Sequence, residues 1–220
     1  RGKLCRRRHV VPRKVVTPGR RYMWRAFGSF AKAWGKVLTE AQRLAWNAAA
    51  AKLRSYPRLG QSGRLTGALH FQGINSARAR IGRKMLLWPP AKVVFGRNPV
   101  AGLTIRYVNG RLRLRLRVTG LVTEDIMVFG QAPCSADRKK WRHGTYLGLL
   151  PAPRDGECDI TELYEQRFGE PEPGKKVFIR TRQQKDGWEG PVKDCSEVAP
   201  PIPVAAAKPG TVEIRSPNAE

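Results

Sequence analysis

The sequence predicts an α+β protein in which a small N-terminal three-helix module precedes an antiparallel β-sandwich, with an extended arm at each end. Apolar residues recur at helical spacing between residues 17 and 85, and from residue 103 they alternate with period two. The two ends show neither period. These patterns divide the 220 residues into a basic arm (1–16), a basic helical module (17–85), a sandwich domain (92–198) and a Pro/Ala-rich extension (199–220).

Composition supports a folded chain of this kind. The sequence is 41% hydrophobic and contains six Trp, which is enough to form a core and excludes wholesale disorder. The longest apolar stretches, such as residues 85–90, fall far short of the ~18–20 residues that a membrane span requires. We therefore expect no membrane span. The first residue is Arg1 and no signal-peptide core follows it, which leaves open whether this start is processed.

Three helices are predicted in the basic module. The first begins at Thr17-Pro18, a capping residue followed by proline, and ends at Gly35; its apolar face is Met23, Phe27, Phe30 and Trp34. The second begins at Thr39 with a capping box completed by Gln42, and we expect it to end at Tyr56-Pro57. The third covers about residues 66–81, with Phe71, Ile74, Ala77 and Ile81 aligned on one face.

The clearest local signal is a β-hairpin. Asn109-Gly110 separates two alternating runs, residues 103–108 and 111–118, which predicts a two-residue type I′ turn. The turn sets Val108 opposite Arg111 and Ile105 opposite Leu114. One face of the hairpin is then apolar, and the other carries Arg106 and the arginine row (Arg111, Arg113, Arg115 and Arg117).

Further strands are predicted at residues 125–130, 145–150, 176–182 and 192–198, and several short strands without long helices between them indicate a sandwich. The acidic stretch 155–172 is expected to be a loop between strands, with a helical turn at 160–167. Its carboxylates would be solvated or would contact a basic surface on another copy. In the C-terminal extension, residues 211–215 could add to an exposed sheet edge of a neighbouring copy.

Two stretches resemble known families. Residues 176–188 (KVFIRTRQQKDGW) and 195–198 (CSEV) look like the last two strands of fibronectin type III-like or immunoglobulin-like sandwiches, an architectural resemblance that covers residues 95–198. Residues 38–47 (LTEAQRLAWN), with 63–67 (GRLTG) and Phe71…Asn75, are similar to a helical module of an uncharacterised bacterial and phage-like family. That module often precedes a β-sandwich, and it implies no activity.

The net charge of +25 is unevenly distributed. Residues 1–100 hold 23 Lys and Arg with one acid, Glu40, whereas residues 101–220 hold 19 Lys and Arg with 16 acids. Because so many uncompensated charges on a small compact body repel one another, the basic half must either face a polyanion or be spread out in water. The polyanion-binding candidates are Arg6, Arg7, Arg8, Arg13, Lys14, Arg20, Arg21, Arg25 and the arginine row (Arg111, Arg113, Arg115 and Arg117).

The arginine row would repeat every ~6.6–6.8 Å, close to the phosphate spacing of an extended nucleic-acid strand. Taken alone, the row is better explained as the ordinary solvated face of a sheet, and contact with acidic groups of a neighbour is a further alternative. The basic arm and helical module shift the balance toward contact with a polyanion. Trp24, beside Arg20, Arg21 and Arg25, is the candidate for an exposed ring that stacks on a base, whereas Phe27, Phe30 and Trp34 are expected in the helical core.

No pattern in the sequence indicates catalysis, a cofactor or a metal site. Cys5 and His9 form a single close pair, whereas structural zinc sites usually have two. Cys5, Cys134, Cys158 and Cys195 contain no C-x-x-C; a disulfide such as Cys134–Cys158 and free buried thiols both stay open. We expect a protein that is not an enzyme.

The leading hypothesis is therefore a structural subunit that self-assembles into a filament, sheath or shell through its arms, in an extracellular or virion-like particle rather than in the cytoplasm. Its basic half would bind nucleic acid or another polyanion. The first alternative is a ribosome-associated or other monomeric nucleic-acid-binding protein, because RNA would also hold basic extensions in place. The second is a secreted adhesion module, which leaves the basic helical half without a role.

Overall fold

A computed structural model describes residues 18–55 and 63–203 of the chain. The predictions for residues 1–17, 56–62 and 204–220 lie outside this part. They include the N-terminal arm, residues 204–220 of the C-terminal extension and, within these, the strand at 211–215. The chain divides into two compact units: the first comprises residues up to 79 together with 84–89, and the second comprises residues 80–83 and those from 90 onward.

The first unit contains three helices, α1 (Pro18–Lys36), α2 (Glu40–Ala51) and α3 (Gly67–Arg80). The predicted capping box is confirmed: Gln42 N donates to Thr39 Oγ1 at 3.3 Å, and Thr39 N donates to Gln42 Oε1 at 2.8 Å. The expected continuation of α2 to Tyr56-Pro57 is wrong, because the helix ends at Ala51 and Lys52 is its C-cap.

Phe71 of α3 lies at the centre of this unit. Its ring contacts Phe30 edge-on at 6.4 Å between centroids, Trp34 at 5.7 Å and Trp46 at 5.3 Å. Phe71, Ile74 and Ala77 are buried as the helical spacing predicts. Phe27 departs from the prediction: it is 44% exposed, because the buried face of α1 centres on Phe30 and Ala33 and does not extend to it.

The segment that follows α3 is fastened to it by a buried asparagine. Asn75 Nδ2 donates to the carbonyl oxygens of Phe71 (3.1 Å) and Leu86 (3.2 Å), while its Oδ1 accepts from Leu86 N at 2.7 Å. The indole Nε1 of the fully buried Trp46 donates to Leu87 O at 2.9 Å. These bonds satisfy the buried side-chain amide of Asn75 and the indole N–H of Trp46.

The second unit is an antiparallel β-sandwich, so the predicted α+β fold class is confirmed. Its elements are β1 (Val100–Val108), β2 (Arg111–Val118), β3 (Asp125–Gly130), β4 (Thr145–Leu149), β5 (Glu157–Asp159), α4 (Thr161–Phe168), β6 (Lys176–Lys185) and β7 (Trp188–Val198). One sheet has the order β1-β2-β5 and the other β4-β3-β6-β7. Strand β4 thus pairs with β3 in the second sheet, whereas the fourth strand of an immunoglobulin constant-type domain belongs to the same sheet as its first two strands.

The predicted hairpin register is confirmed at every paired position from Ile105↔Leu114 to Val108↔Arg111. Asn109 and Gly110 have φ angles of 51° and 75°, the two positive values that a type I′ turn requires. The core between the sheets contains Leu103, Ile105, Leu112, Leu114 and Leu116 from the first sheet, and Ile126, Val128, Val177 and Ile179 from the second.

The acidic stretch 155–172 is not wholly a loop: the helical turn predicted at 160–167 is confirmed as α4, whereas strand β5 within the stretch was not predicted. Its residues form β5 and α4, and the buried Cys158 of β5 lies opposite Leu116. Beyond β5, Leu114 N donates to Thr161 Oγ1 at 2.9 Å and Ile160 N donates to Leu114 O at 2.9 Å. Ala199, assigned by composition to the C-terminal extension, instead belongs to the sandwich, because it is buried and exchanges two backbone bonds with the Gly174–Lys175 turn.

Candidate polyanion-binding surfaces

Four exposed cations line one side of α1. Arg21, Arg25, Lys32 and Lys36 are separated by four, seven and four residues, so at 3.6 residues per turn they lie within a stripe about 60° wide. The stripe (hereafter the cationic stripe) extends ~22 Å along the helix axis, at ~1.5 Å per residue. Gly28, in the middle of the stripe, carries no side chain that would separate the two pairs of cations.

The opposite side of α1 explains why the stripe faces solvent. Phe30 and Ala33 are 6% and 5% exposed, and they project about 150° and about 90° around the helix from the centre of the stripe. Burial of this apolar face against Phe71 therefore holds the cations outward. Their exposure follows from the amphipathic pattern of the helix and needs no specific contact.

The helical unit has almost no means of neutralising these charges internally. Glu40 is the single acid among residues 1–100, and its Oε2 accepts from Arg43 Nη2 at 2.7 Å and from Arg43 Nε at 3.1 Å. Within the part of this unit that the structure describes, the cationic stripe consequently has no carboxylate partner. The positive field of the stripe is left for an external anion to meet.

Two further arginines of this unit are placed side by side. Arg54 and Arg64 pair across an isolated antiparallel bridge, which Ser55 N reinforces by donating to Gly63 O at 3.0 Å. Both residues are exposed. Like charges directly opposite each other on neighbouring strands repel and destabilise the pairing unless an anion lies between or above them.

Exposed aromatic rings lie on both flanks of the stripe. Trp24 is 56% exposed, as expected for a stacking candidate, and Tyr22 is 55% exposed. The Tyr22 hydroxyl donates to Ala79 O at 3.3 Å, which restrains that ring, whereas Trp24 has no hydrogen-bond partner in the described part of the chain. Trp24 is therefore the more available of the two for contact with a base.

Two of the four guanidinium groups in the arginine row on β2 are paired with carboxylates of the neighbouring strand. Strand β5 lies next to β2 and brings Glu157 and Asp159 to the same face. Arg115 Nη1 donates to Glu157 Oε2 at 3.0 Å, and Arg113 Nη1 lies 3.7 Å from Asp159 Oδ2. Arg111 and Arg117 are exposed and have no carboxylate partner among the described residues.

The other predicted site residues either belong to α1 or lie outside the described residues. Arg21 and Arg25 belong to the cationic stripe, and Arg20 lies in α1. Arg6, Arg7, Arg8, Arg13 and Lys14 lie outside the described residues. The stripe and the arginine row belong to different units. The predicted site set did not include Lys32 and Lys36, although the four-seven-four spacing with Arg21 and Arg25 was visible in the sequence.

Three cysteines are described, and all three are free thiols: Cys134, Cys158 and Cys195. Burial raises the pKa of the Cys158 and Cys195 thiols above the ordinary value, so both hold their protons at neutral pH and are poor nucleophiles. No group of three or more His, Cys, Asp or Glu side chains in residues 18–55 and 63–203 could hold a metal ion. Nor does any helix in those ranges have the length and apolar character to cross a membrane.

A scan against protein-family models and a search of curated proteins each gave no match. The fold and the distribution of charge on the surface therefore carry the functional argument.

Proposed function

We propose that this protein is a non-enzymatic nucleic-acid-binding protein whose helical unit binds the phosphate backbone. The observation that carries the proposal is the cationic stripe: four exposed cations on one side of α1, in a unit whose single acid is already bonded to Arg43. Cations that repel one another gain most when phosphates replace the small counterions around them.

The kind of contact follows from the kind of side chain. Arginine forks match phosphate oxygens, and lysine contacts them as a point charge. A row of such groups on a helix surface reads the backbone and not the base edges, so the binding would depend little on sequence. The facing pair Arg54 and Arg64 would add to the same field.

A salt titration tests this proposal on the full chain. Binding of a fluorescent 20-base-pair duplex DNA is measured by anisotropy between 50 and 400 mM NaCl, for the native protein and for Arg25→Glu/Lys32→Glu. Duplex affinity depends on salt with a slope of about −0.9 for each neutralised phosphate. The double variant is expected to bind at least tenfold more weakly at low salt, with a slope about 2 smaller in magnitude.

A matched control has the same change in net charge. Lys175→Glu/Lys185→Glu reverses two exposed cations of the sandwich unit. We expect it to retain most of the affinity. Equal losses in the two double variants would mean that only total charge matters, and a flat salt dependence would contradict phosphate binding altogether.

Self-assembly is the second candidate function, and the edge of a sheet favours it. Strand β7 ends the order β4-β3-β6-β7, so on the side away from β6 no strand pairs with it in the described residues. Val192 and Val198 on β7 are 44% and 36% exposed. An edge of this kind can take an added strand from another copy, and residues 211–215 are the segment that the sequence offers for it.

Truncations separate assembly from a monomeric or ribosome-associated protein. Because Ala199 is part of the sandwich, the C-terminal deletion should remove residues 204–220, and the N-terminal one residues 1–16. Particles in electron micrographs of the full chain that disappear in either deletion would support assembly. Sedimentation as a monomer, or together with ribosomal subunits, would instead favour the alternative.

A further inference from the structure

A second cationic cluster, on the sandwich unit, surrounds a tryptophan. The connection from β3 to β4 contains residues 136–144 (hereafter the Trp141 loop), in which Arg138, Lys139, Lys140, Arg142 and His143 flank Trp141. Its one acid, Asp137, accepts a hydrogen bond from Ser135 Oγ at 3.4 Å. No site residue was predicted in this loop, although the run RKKWRH is visible in the sequence.

Trp141 is held in one position by the sheet beside it. The guanidinium carbon of Arg180, on β6, lies 4.9 Å from the centre of the indole ring. The ring also contacts Gly144 so closely that a Cβ there would come within 2.1 Å of it. Only glycine at position 144 allows this approach, so the loop presents the indole in a fixed orientation at low entropic cost.

The rest of the loop is tethered on both sides of the ring. Arg142 N donates to the side-chain oxygen of Gln131 at 3.2 Å, and Lys176 Nζ donates to Ala136 O at 3.3 Å. Gln131 is buried and its own carbonyl accepts from Tyr164 Oη at 2.9 Å. The cations of the Trp141 loop are thus displayed from a backbone fastened to the sandwich.

Trp141 separates two grooves with cations in each. The larger, about 430 Å³, is lined by Lys139, Lys140, Phe178 and Ser196 among others, and the smaller, about 250 Å³, by Arg142, His143 and Phe129 among others.

Two arginines that line these grooves, Arg180 and Arg182, already form ion pairs with carboxylates. Arg180 bonds both oxygens of Asp194, and Arg182 bonds Glu189. Lys139, Lys140 and Arg142 have no carboxylate partner within the described ranges. The cations left for an external anion are therefore those of the loop itself.

We propose that the Trp141 loop is a second nucleic-acid contact that takes a single strand, with Trp141 stacking on an unpaired base and Lys139, Lys140 and Arg142 contacting the flanking phosphates. A ring with cations on both sides matches a strand whose bases alternate with charge, and stacking on a base is closed to a ring when the bases are paired within a duplex. The inference rests on the proposed function, because it assigns to the same ligand class a second and structurally distinct contact.

The experiment compares two probes with the full chain. Anisotropy is measured with a 20-mer of oligothymidylate and with the 20-base-pair duplex, for the native protein, Trp141→Ala, Trp141→Phe and Lys139→Ala/Lys140→Ala. Trp88→Ala is the matched control, because it removes an indole that is 55% exposed elsewhere in the chain.

A stacking role predicts a specific pattern. Trp141→Ala should weaken oligothymidylate binding at least fivefold with the salt slope unchanged, change duplex binding less than twofold, and be partly rescued in Trp141→Phe. The double lysine variant should lower the slope for the single strand by about 1.4, from about 0.7 for each lost contact. Should Trp141→Ala prove unstable, Trp141→Phe and the lysine variant decide the question.

Other outcomes overturn the inference and separate it from the proposed function. If Trp141→Ala and Trp88→Ala bind oligothymidylate equally, or if both probes weaken to the same extent, the loop is not a single-strand contact. Loss of duplex affinity in Arg25→Glu/Lys32→Glu would then leave the proposed function intact. If the full chain retains neither probe at 50 mM NaCl, both proposals fail.

Discussion

Arg115 on β2 donates a 3.0 Å hydrogen bond to Glu157 on the neighbouring strand β5. Both side chains are about 40% exposed, so the ion pair is in contact with water and contributes little to stability. Its larger consequence is electrostatic: together with the approach of Arg113 to Asp159, it neutralises the middle of the arginine row and leaves Arg111 and Arg117 at its ends.

Removing this carboxylate tests whether the arginine row contacts nucleic acid. Glu157→Gln should change the free energy of unfolding by no more than about 1 kcal/mol, since an exposed ion pair contributes no more than that. If the row touches phosphates, the released Arg115 should raise duplex affinity about two- to fivefold at low salt. Anisotropy titration measures the change in affinity, and urea unfolding measures the change in stability.

Glu172→Gln is the matched control for that variant, since Glu172 is an exposed acid that lies 3.9 Å from Lys175. It produces the same change in net charge away from the row. Equal affinities for the two variants would make the row a solvated sheet face. Asp159→Asn is a poorer choice, because Asp159 Oδ1 also accepts from the backbone N–H and the hydroxyl of Thr161 at the start of α4.

Local patterns allowed the sequence to predict the elements whose signals lie within a few residues. The Asn109-Gly110 turn determined the register of an entire hairpin, and Thr39 with Gln42 marked the start of α2. In both cases the physical cause is a backbone requirement met by adjacent residues: two positive φ angles in the turn, and unpaired N–H groups at the helix start. These two elements could therefore be predicted without knowing any contact to distant residues.

The elements that the sequence missed depend on distant partners. Strand β5 has three residues, too few for an alternating pattern, and it is a strand only because β2 pairs with it. Likewise, the Trp141 loop becomes a fixed surface because Arg180, far along the chain, lies beneath the indole. Phe27 is exposed for a related reason: periodicity gives the direction of an apolar face but not its width.

The capping box predicts a measurable stability of the helical unit. Thr39→Ala removes the oxygen that accepts from Gln42 N and should lower the free energy of unfolding by about 1 kcal/mol. Circular dichroism at 222 nm during urea unfolding follows the change, with Thr123→Ala, in an exposed connection of the sandwich unit, as the control. Equal midpoints for the two variants would show that the cap does not stabilise the folded unit.

His70 makes the stability of the helical unit depend on pH. The imidazole is 5% exposed and contacts Trp46 edge-on at 5.3 Å between ring centroids. Burial lowers the pKa of His70 from its ordinary value near 6.5, because the charged form loses its hydration. The unfolded chain therefore binds the proton more readily than the folded one.

The direction of the pH effect follows by linkage. The free energy of unfolding should keep the whole His70 contribution above about pH 6.5 and decrease as the pH drops below that value, by at most ~1.4 kcal/mol per pH unit. Urea unfolding at pH 7.5, 6.5 and 5.5 measures this change. His70→Gln should flatten the profile. An unchanged profile in that variant would assign the dependence to other groups.

A buried hydroxyl connects α4 to the strand end from which the Trp141 loop departs. Tyr164 is fully buried, its hydroxyl donates to Gln131 O at 2.9 Å, and burial raises its pKa far above the ordinary value, so it stays a donor throughout the accessible pH range. Tyr164→Phe keeps the ring contacts but leaves the Gln131 carbonyl without this donor, which should cost about 1–3 kcal/mol. Thermal unfolding measures the cost against Tyr146→Phe, a half-buried tyrosine of the same unit. Equal melting temperatures would mean that water replaces the lost hydroxyl and that the bond does not stabilise the sandwich.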